Sequence, residues 1–240
     1  RTSLAHSLFN NIAYNQNLGN KDVKIFECGK TYRAKELPLK DFPIETDYLA
    51  IAVLSSGYSF FELKGVIERL LEKTSVEYSI VRSAKSFLHP GVSADIICDG
   101  EVIGSFGKVH PSVAKNYDLS SELYYGEINT QYLAELPEKK YSVKPISKYP
   151  IVERDLAVVV DESIAVGDMI DSIKSACGKL YYFAGLFDIY RSEALGENKK
   201  SLAFKIKLSD LDKTLTDEDV AQVIKKILKA LQYKFGAVLR

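Results

Sequence analysis

The fold is decided by six short stretches near the end of the chain. They are RDLAVVV at 154–160, VGDMIDSIKSAC at 166–177, YYFAGLFDIY at 181–190, SLAFKIKL at 201–208, TDEDVAQVIKKILKAL at 216–231 and FGAVL at 235–239. SLAFKIKL alternates strictly. Leu202, Phe204, Ile206 and Leu208 fall on one side of a strand, and Ser201, Ala203, Lys205 and Lys207 on the other. Val166, Met169, Ile170 and Ile173 recur at helical spacing, and Gly178 suits a left-handed helix end. Thr216 offers a capping hydroxyl to a helix whose first turn, Asp217, Glu218 and Asp219, favours the positive end of the dipole. Val220, Val223, Ile224, Ile227, Leu228 and Leu231 form its apolar face, and Phe235 to Leu239 reads as a last strand. The order βαββαβ is the ferredoxin-like pattern, with both helices on one face of a four-stranded antiparallel sheet.

Upstream, Pro137, Pro145 and Pro150 fall in a polar, Lys- and Ser-rich stretch that reads as a linker. The expected division is therefore a first module at 1–136, a linker at 137–147 and the ferredoxin-like domain at 148–240. In the first module, Leu4, Leu8, Phe9 and Ile12 have helical spacing, Val23 to Phe26 reads as a strand and Tyr48 to Leu54 as another. Leu63, Val66, Ile67, Leu70 and Leu71 form one face of a second helix. Asp99-Gly100 between Val92–Cys98 and Glu101–Val109 is a hairpin signal, because both turn positions need positive φ. The whole is α+β: an antiparallel sheet module followed by a ferredoxin-like domain. The Leu4, Leu8 and Ile12 stripe is consistent with a local core or with a surface that packs on a partner.

Composition narrows the function. With 32 basic and 32 acidic side chains among 240 residues the net charge is zero, so no global field draws the chain to nucleic acid or membrane. The hundred residues from Tyr141 hold 16 basic and 14 acidic groups and are slightly basic. No apolar run approaches the roughly 20 residues of a membrane span, no signal peptide is visible, and a cytoplasmic location is expected. Arg1 in place of Met suggests a piece of something longer. Cys28, Cys98 and Cys177 are widely spaced and read as reduced, buried small hydrophobes. His6, His89 and His110 lack the spacing of a metal site. Gly104 and Gly107 do not match a phosphate-cradling loop and fit a tightly packed strand interior better.

One place suits nucleic acid. The sheet face opposite the helices is free for unpaired bases, which stack on aromatics and bond through their polar edges. Alternation puts Ser201, Ala203, Lys205 and Lys207 there, and, with Phe187 and Ile189 turned inward, Asp188 and Tyr190 as well. A plain solvated face fits the same pattern.

These residues also carry a resemblance. Lys148-Tyr149-Pro150, Arg154-Asp155-Leu156, Phe187-Asp188-Ile189-Tyr190, Lys199 to Phe204, Thr214-Leu215-Thr216 and Phe235 to Arg240 resemble the anticodon-binding ferredoxin-fold domain of the bacterial phenylalanyl-tRNA synthetase β subunit. Arg1 to Leu4, Phe26 to Lys30, Phe60 to Gly65, His89-Pro90-Gly91, Ser93-Ala94 and Gly107 to Pro111 are similar to the catalytic-like module preceding it in that family. The resemblance implies an assembly of two α and two β subunits in which α uses ATP and Mg2+ to activate phenylalanine and charge tRNA(Phe). This chain would hold no cofactor and no catalytic residue, would pack against α, and would bind the anticodon stem-loop.

On that reading Tyr190 stacks on an anticodon base, Asp188 accepts from a guanine edge, and Lys205 and Lys207 contact phosphates beside Ser201. Arg154, Lys148 or the Ser192–Lys199 loop are further candidate contacts. Class II synthetases need two arginines on ATP. Arg33 could imitate the first, but between Tyr117 and Tyr141 there is only Gly126 and no arginine, so the module alone is expected to be inactive. An alternative treats the second domain as an ACT-like regulatory module binding an amino acid near Gly167.

Overall fold

The computed structural model describes residues 1–74, 76–137 and 147–240. The chain divides into two compact units, one on either side of the 138–146 stretch. The expected linker, 137–147, lies largely outside the described residues.

The first unit contains α1 (Ala5–Asn17), β1 (Val23–Arg33), β2 (Ile44–Leu54), α2 (Phe60–Leu71), β3 (Ser79–Arg82), β4 (Leu88–Cys98), β5 (Glu101–Val109), α3 (Pro111–Lys115), β6 (Leu123–Asn129) and α4 (Thr130–Glu135). Its six-stranded antiparallel sheet runs in the order β1-β2-β6-β5-β4-β3. Each long helix covers one face. Leu4, Leu8, Phe9 and Ile12 pack with Ala50, Ala52, Leu54 and Tyr125, so that stripe belongs to the local core. Leu63, Ile67 and Leu71 of α2 pack with Val53, Ile96, Phe106 and Tyr124 on the other side. Successive residues of β2 and β6 thus enter different cores, as strand alternation requires. The Asp99-Gly100 turn has φ of 49° and 83°, as expected. A Cβ on Gly104 would lie 2.6 Å from the Glu127 carbonyl oxygen, and one on Gly107 2.4 Å from that of Val92. Both glycines mark close backbone approach. Cys98 and Cys177 are buried, but Cys28 is exposed, contrary to expectation, because β1 is an edge strand.

A buried polar network ties the start of the chain to the sheet. Tyr125 OH donates to Glu127 (2.7 Å), which also accepts from Ser3 (3.3 Å). Burial, reinforced by the Glu127 charge, pushes the Tyr125 phenol well above its ordinary range.

The second unit is β7 (Val152–Asp161), α5 (Val166–Cys177), β8 (Tyr181–Tyr190), β9 (Lys199–Leu208), α6 (Asp217–Phe235) and β10 (Val238–Leu239). Its sheet order, β10-β7-β9-β8, is that of the ferredoxin-like fold. Leu202, Phe204, Ile206 and Leu208 are fully buried with Met169, Ile173, Ile227 and Leu231. The Thr216 hydroxyl accepts from Asp219 N–H while the Asp219 carboxylate accepts from Thr216 N–H, closing a capping box. The structure corrects two boundaries. Phe235 belongs to α6, which ends at left-handed Gly236 (φ 63°, ψ 23°), leaving only Val238 and Leu239 as strand. Gly178 has φ 56° but ψ −130°, so it leads into a 3₁₀ turn and is not a left-handed helical cap. Among the described residues no helix is long and apolar enough to cross a membrane.

Removing the cap by Thr216→Ala is expected to cost about 1 kcal/mol in urea unfolding, with α6 fraying first in hydrogen exchange. Tyr125 supplies an alkaline signature. A phenol raised above its unfolded value of about 10 stabilises fully below that pH, and the stabilisation is lost as pH rises toward the folded value. The stability gap between the parent chain and Tyr125→Phe should therefore narrow from about pH 9 to pH 11. An unchanged gap in urea titrations would refute the assignment.

Candidate nucleic-acid interface

The four buried apolar residues of β9 set the direction of every neighbouring side chain, because directly opposed residues share a face. Tyr190 pairs with Ser201, which pairs with Val159, which pairs with Val238. Asp188 pairs with Ala203 and Ala203 with Ala157, and Arg240 donates its N–H to the Ala157 carbonyl (3.1 Å). Below these rows lie Lys205 between Gly185 and Asp155, then Lys207 between Phe183 and Glu153. All turn away from α5 and α6.

The structure therefore brings Asp188, Tyr190, Ser201, Lys205 and Lys207 together on the open face. Tyr190 is 44% exposed, while Ser201 is buried at the base of the face. Asp188 is exposed and has no side-chain hydrogen bond or ion pair among the described residues. Lys207 pairs with Glu153 (2.8 Å) and Lys205 approaches the same carboxylate (3.8 Å). The Lys207 ammonium holds the Glu153 carboxyl below its ordinary range.

One expectation about orientation is corrected, and one inward residue is less covered than expected. Phe187 does not turn inward. The β8–β9 register shifts between Leu186, opposite Phe204, and Asp188, opposite Ala203, leaving Phe187 as an extra residue. Such a bulge re-aims a side chain. The ring emerges on the open face, 56% exposed, with Lys205 Nζ 5.9 Å from its centroid. Ile189 lies opposite buried Leu202 but at the sheet edge, and is 41% exposed. Phe183 joins the face too, because its ring lies where a Cβ of Gly185 would sit, 2.6 Å from Cζ. The signal for the bulge was in the sequence. The inward residues Ala184, Leu186 and Ile189 are spaced two and then three apart.

Arg154 and Lys148 are not part of this face. Arg154 pairs with Ile206 and so shares the helix side, where its guanidinium bonds Asp217 at 3.0 Å. Lys148 is exposed in the segment before β7. In the loop after β8, Arg191 grips Glu162 through Nε and Nη2 (2.7 to 3.2 Å). Gly167 sits in the first turn of α5 with open space about its Cβ position, so no neighbouring backbone approaches it closely.

The first unit offers a second polar cluster, and it is internally satisfied. Arg1 pairs with Glu27 (2.5 Å) and donates to the Lys30 carbonyl (3.0 Å), and Ser7 donates to Glu27 (2.9 Å). Arg33 ends β1 exposed, opposite Ile44. His89 and His110 rings stack at 6.5 Å, each Nδ1 accepting a backbone N–H two residues on. Among the described residues no three His, Cys, Asp or Glu side chains converge as metal ligands would.

Comparison with known proteins agrees with this division. Residues 147–240 match the ferredoxin-fold anticodon binding domain, and residues 1–130 match the phenylalanyl tRNA synthetase beta chain CLM domain. The phenylalanine-tRNA ligase beta subunit of Listeria monocytogenes is 36% identical over 253 residues, covering 100% of this chain and 31% of that protein. Those of Bacillus subtilis (36%) and Clostridium acetobutylicum (35%) align over 100% of this chain and 31% and 30% of their own lengths. The chain thus spans about a third of the length of the curated relatives it matches. A solved pyrrolysyl-tRNA synthetase from Desulfitobacterium hafniense is similar at TM-score 0.46 and 18% identity, over 56% of this chain and 48% of that one. With one domain match spanning more than half of its residues and a second covering the rest of its described sheet structure, the chain belongs to the phenylalanyl-tRNA synthetase β-chain family.

Proposed function

We propose that this chain serves its synthetase without performing chemistry itself, binding the anticodon stem-loop of tRNA(Phe) on the open face of the second unit and packing against the α subunit through the first. The observation that carries the reading is the open face itself. An exposed Tyr190 ring and an unpaired Asp188 carboxylate stand two residues apart on one strand, inside the region that matches an anticodon-binding domain. A phenol ring offers a stacking surface to any base, and a carboxylate accepts from the amino and imino groups of a guanine edge. Phe183 and Phe187 widen the apolar surface. The lysines are less free than their sequence implies, since Lys205 and Lys207 share Glu153. An RNA phosphate must compete for them.

For the first unit, packing on the α subunit is supported by the connection between β1 and β2. Leu37 is 83% and Phe42 87% exposed there, while Lys35, Glu36, Lys40 and Asp41 pair among themselves around them. Large apolar side chains ringed by satisfied charges suit an interface centre with a polar rim. In this reading ATP, Mg2+ and phenylalanine are handled by the α subunit in a two-α, two-β assembly.

Two experiments on the full-length β chain with its α partner test these roles. Tyr190→Ala is expected to weaken tRNA binding by roughly 5- to 150-fold, the equivalent of about 1–3 kcal/mol of lost stacking. Glu153→Gln, which releases both lysines, should steepen the salt dependence and tighten binding at low salt. Unchanged affinity in both variants would sink the open-face assignment. Phe42→Asp is expected to lower α–β association by at least about tenfold in analytical ultracentrifugation, as for a buried aromatic anchor. Intact assembly would remove this connection from the interface.

A further inference from the structure

The open face carries a cation that neither alternation nor the proposed anticodon contacts bring in. Arg240 follows β10, and its N–H bonds the Ala157 carbonyl, which places it in one row with Ala157, Ala203 and Asp188. Two alanines floor that row, so nothing bulky stands between β10 and β8. The side chain lies across this floor, and its guanidinium carbon sits 4.7 Å from the centroid of the Tyr190 ring. The remaining cations of the open face have acidic neighbours. Lys205 and Lys207 face Glu153, and Lys199 lies 3.9 Å from Asp161. Arg240 forms no ion pair among the described residues and is exposed, as is the ring it covers.

A guanidinium on a phenol ring is held by the quadrupole and by little else, and at an exposed site that attraction is weak. It is weaker than base stacking on the same ring. A base arriving at Tyr190 therefore has to displace the guanidinium, and the released group retains its charge and its five planar donors. Its backbone is fixed in the sheet, so it stays within a side chain's length of the nucleotide that displaced it.

We propose that Arg240 and Tyr190 form one nucleotide site, in which Arg240 covers the ring in the free protein and moves to the phosphate of the nucleotide whose base takes its place. This inference rests on the open-face reading above and adds a residue to it. Arg240 supplies charge and positioning, and Tyr190 and Asp188 supply the contacts with the base. The ring stays shielded until RNA arrives.

The test uses the full-length β chain with its α partner and measures tRNA(Phe) affinity across a salt series. Arg240→Ala should weaken binding by about 5- to 10-fold at low salt and reduce the slope of log K against log salt by about 0.7, the signature of one lost phosphate contact on single-stranded RNA. Arg240→Lys should keep the slope, because the charge remains, while losing part of the affinity. Tyr190→Ala should weaken binding with the slope unchanged. If Arg240→Ala leaves the slope intact, the phosphate role is wrong, whatever happens to affinity. The open-face reading survives that result as long as Tyr190→Ala still weakens binding. If Arg240→Ala alters the slope while Tyr190→Ala has no effect, the shared site is refuted. If neither variant changes affinity or slope, both readings fall together.

Discussion

Four side chains on one strand govern the second unit. Leu202, Phe204, Ile206 and Leu208 are fully buried beneath α5 and α6. A slip by one residue would carry all four to solvent and bring Lys205 and Lys207 into the core. That penalty fixes the parity of β9. Through the cross-strand pairs it also fixes the parity of β7 and β8, and through β7 that of β10. The position of Tyr190, Asp188 and Arg240 on a common face is therefore a consequence of hydrophobic burial on β9, one strand from β8 and two from β10.

Charge on that face is largely balanced. Glu153 engages both central lysines and Asp161 lies close to Lys199, so the field presented to a distant polyanion is small. Exposed pairs of this kind contribute little to stability. On the anticodon reading proposed above they set a threshold, because a phosphate would have to compete with a carboxylate already in place. Asp188 and Arg240, which form no ion pair among the described residues, stand out against that balanced background, and on the same reading the carboxylate would repel an RNA segment that does not offer it a donor.

Much of this was legible in the sequence, and the exceptions have physical reasons. The alternation of SLAFKIKL, the Thr216 cap and the Asp99-Gly100 turn were readable because each rests on a local rule that tertiary structure did not override. β6, at the centre of the first sheet, went unread. Leu123, Tyr124, Tyr125 and Gly126 are buried consecutively, so no period of two survives. Arg154 was a further candidate contact, together with Lys148, in the segment that carries the resemblance. Its pairing with Ile206 sends it to the helix side, where Asp217 at the start of α6 holds it. Arg240 went unnoticed because its partner, Tyr190, is fifty residues away in sequence and across two intervening strands.

The irregularity of β8 gives it a surface that regular alternation would not. β8 is an edge strand carrying Phe183, Phe187, Ile189 and Tyr190 at 41–56% exposure, a composition that invites pairing with another chain. Its register shifts twice, between Tyr181 and Phe183 and between Leu186 and Asp188. Each shift leaves one residue unpaired and twists the edge away from the flat geometry that strand addition needs. The second shift also turns Phe187 from the helix side to the open side, beside Lys205. With Asp188 and Tyr190 held in place, a strand without the bulge would put Phe187 back under the helices and reverse Leu186 and the residues before it relative to β9. The bulge thus guards the edge against other chains and sets which side chains occupy the open face, so neither property can be altered without altering the other.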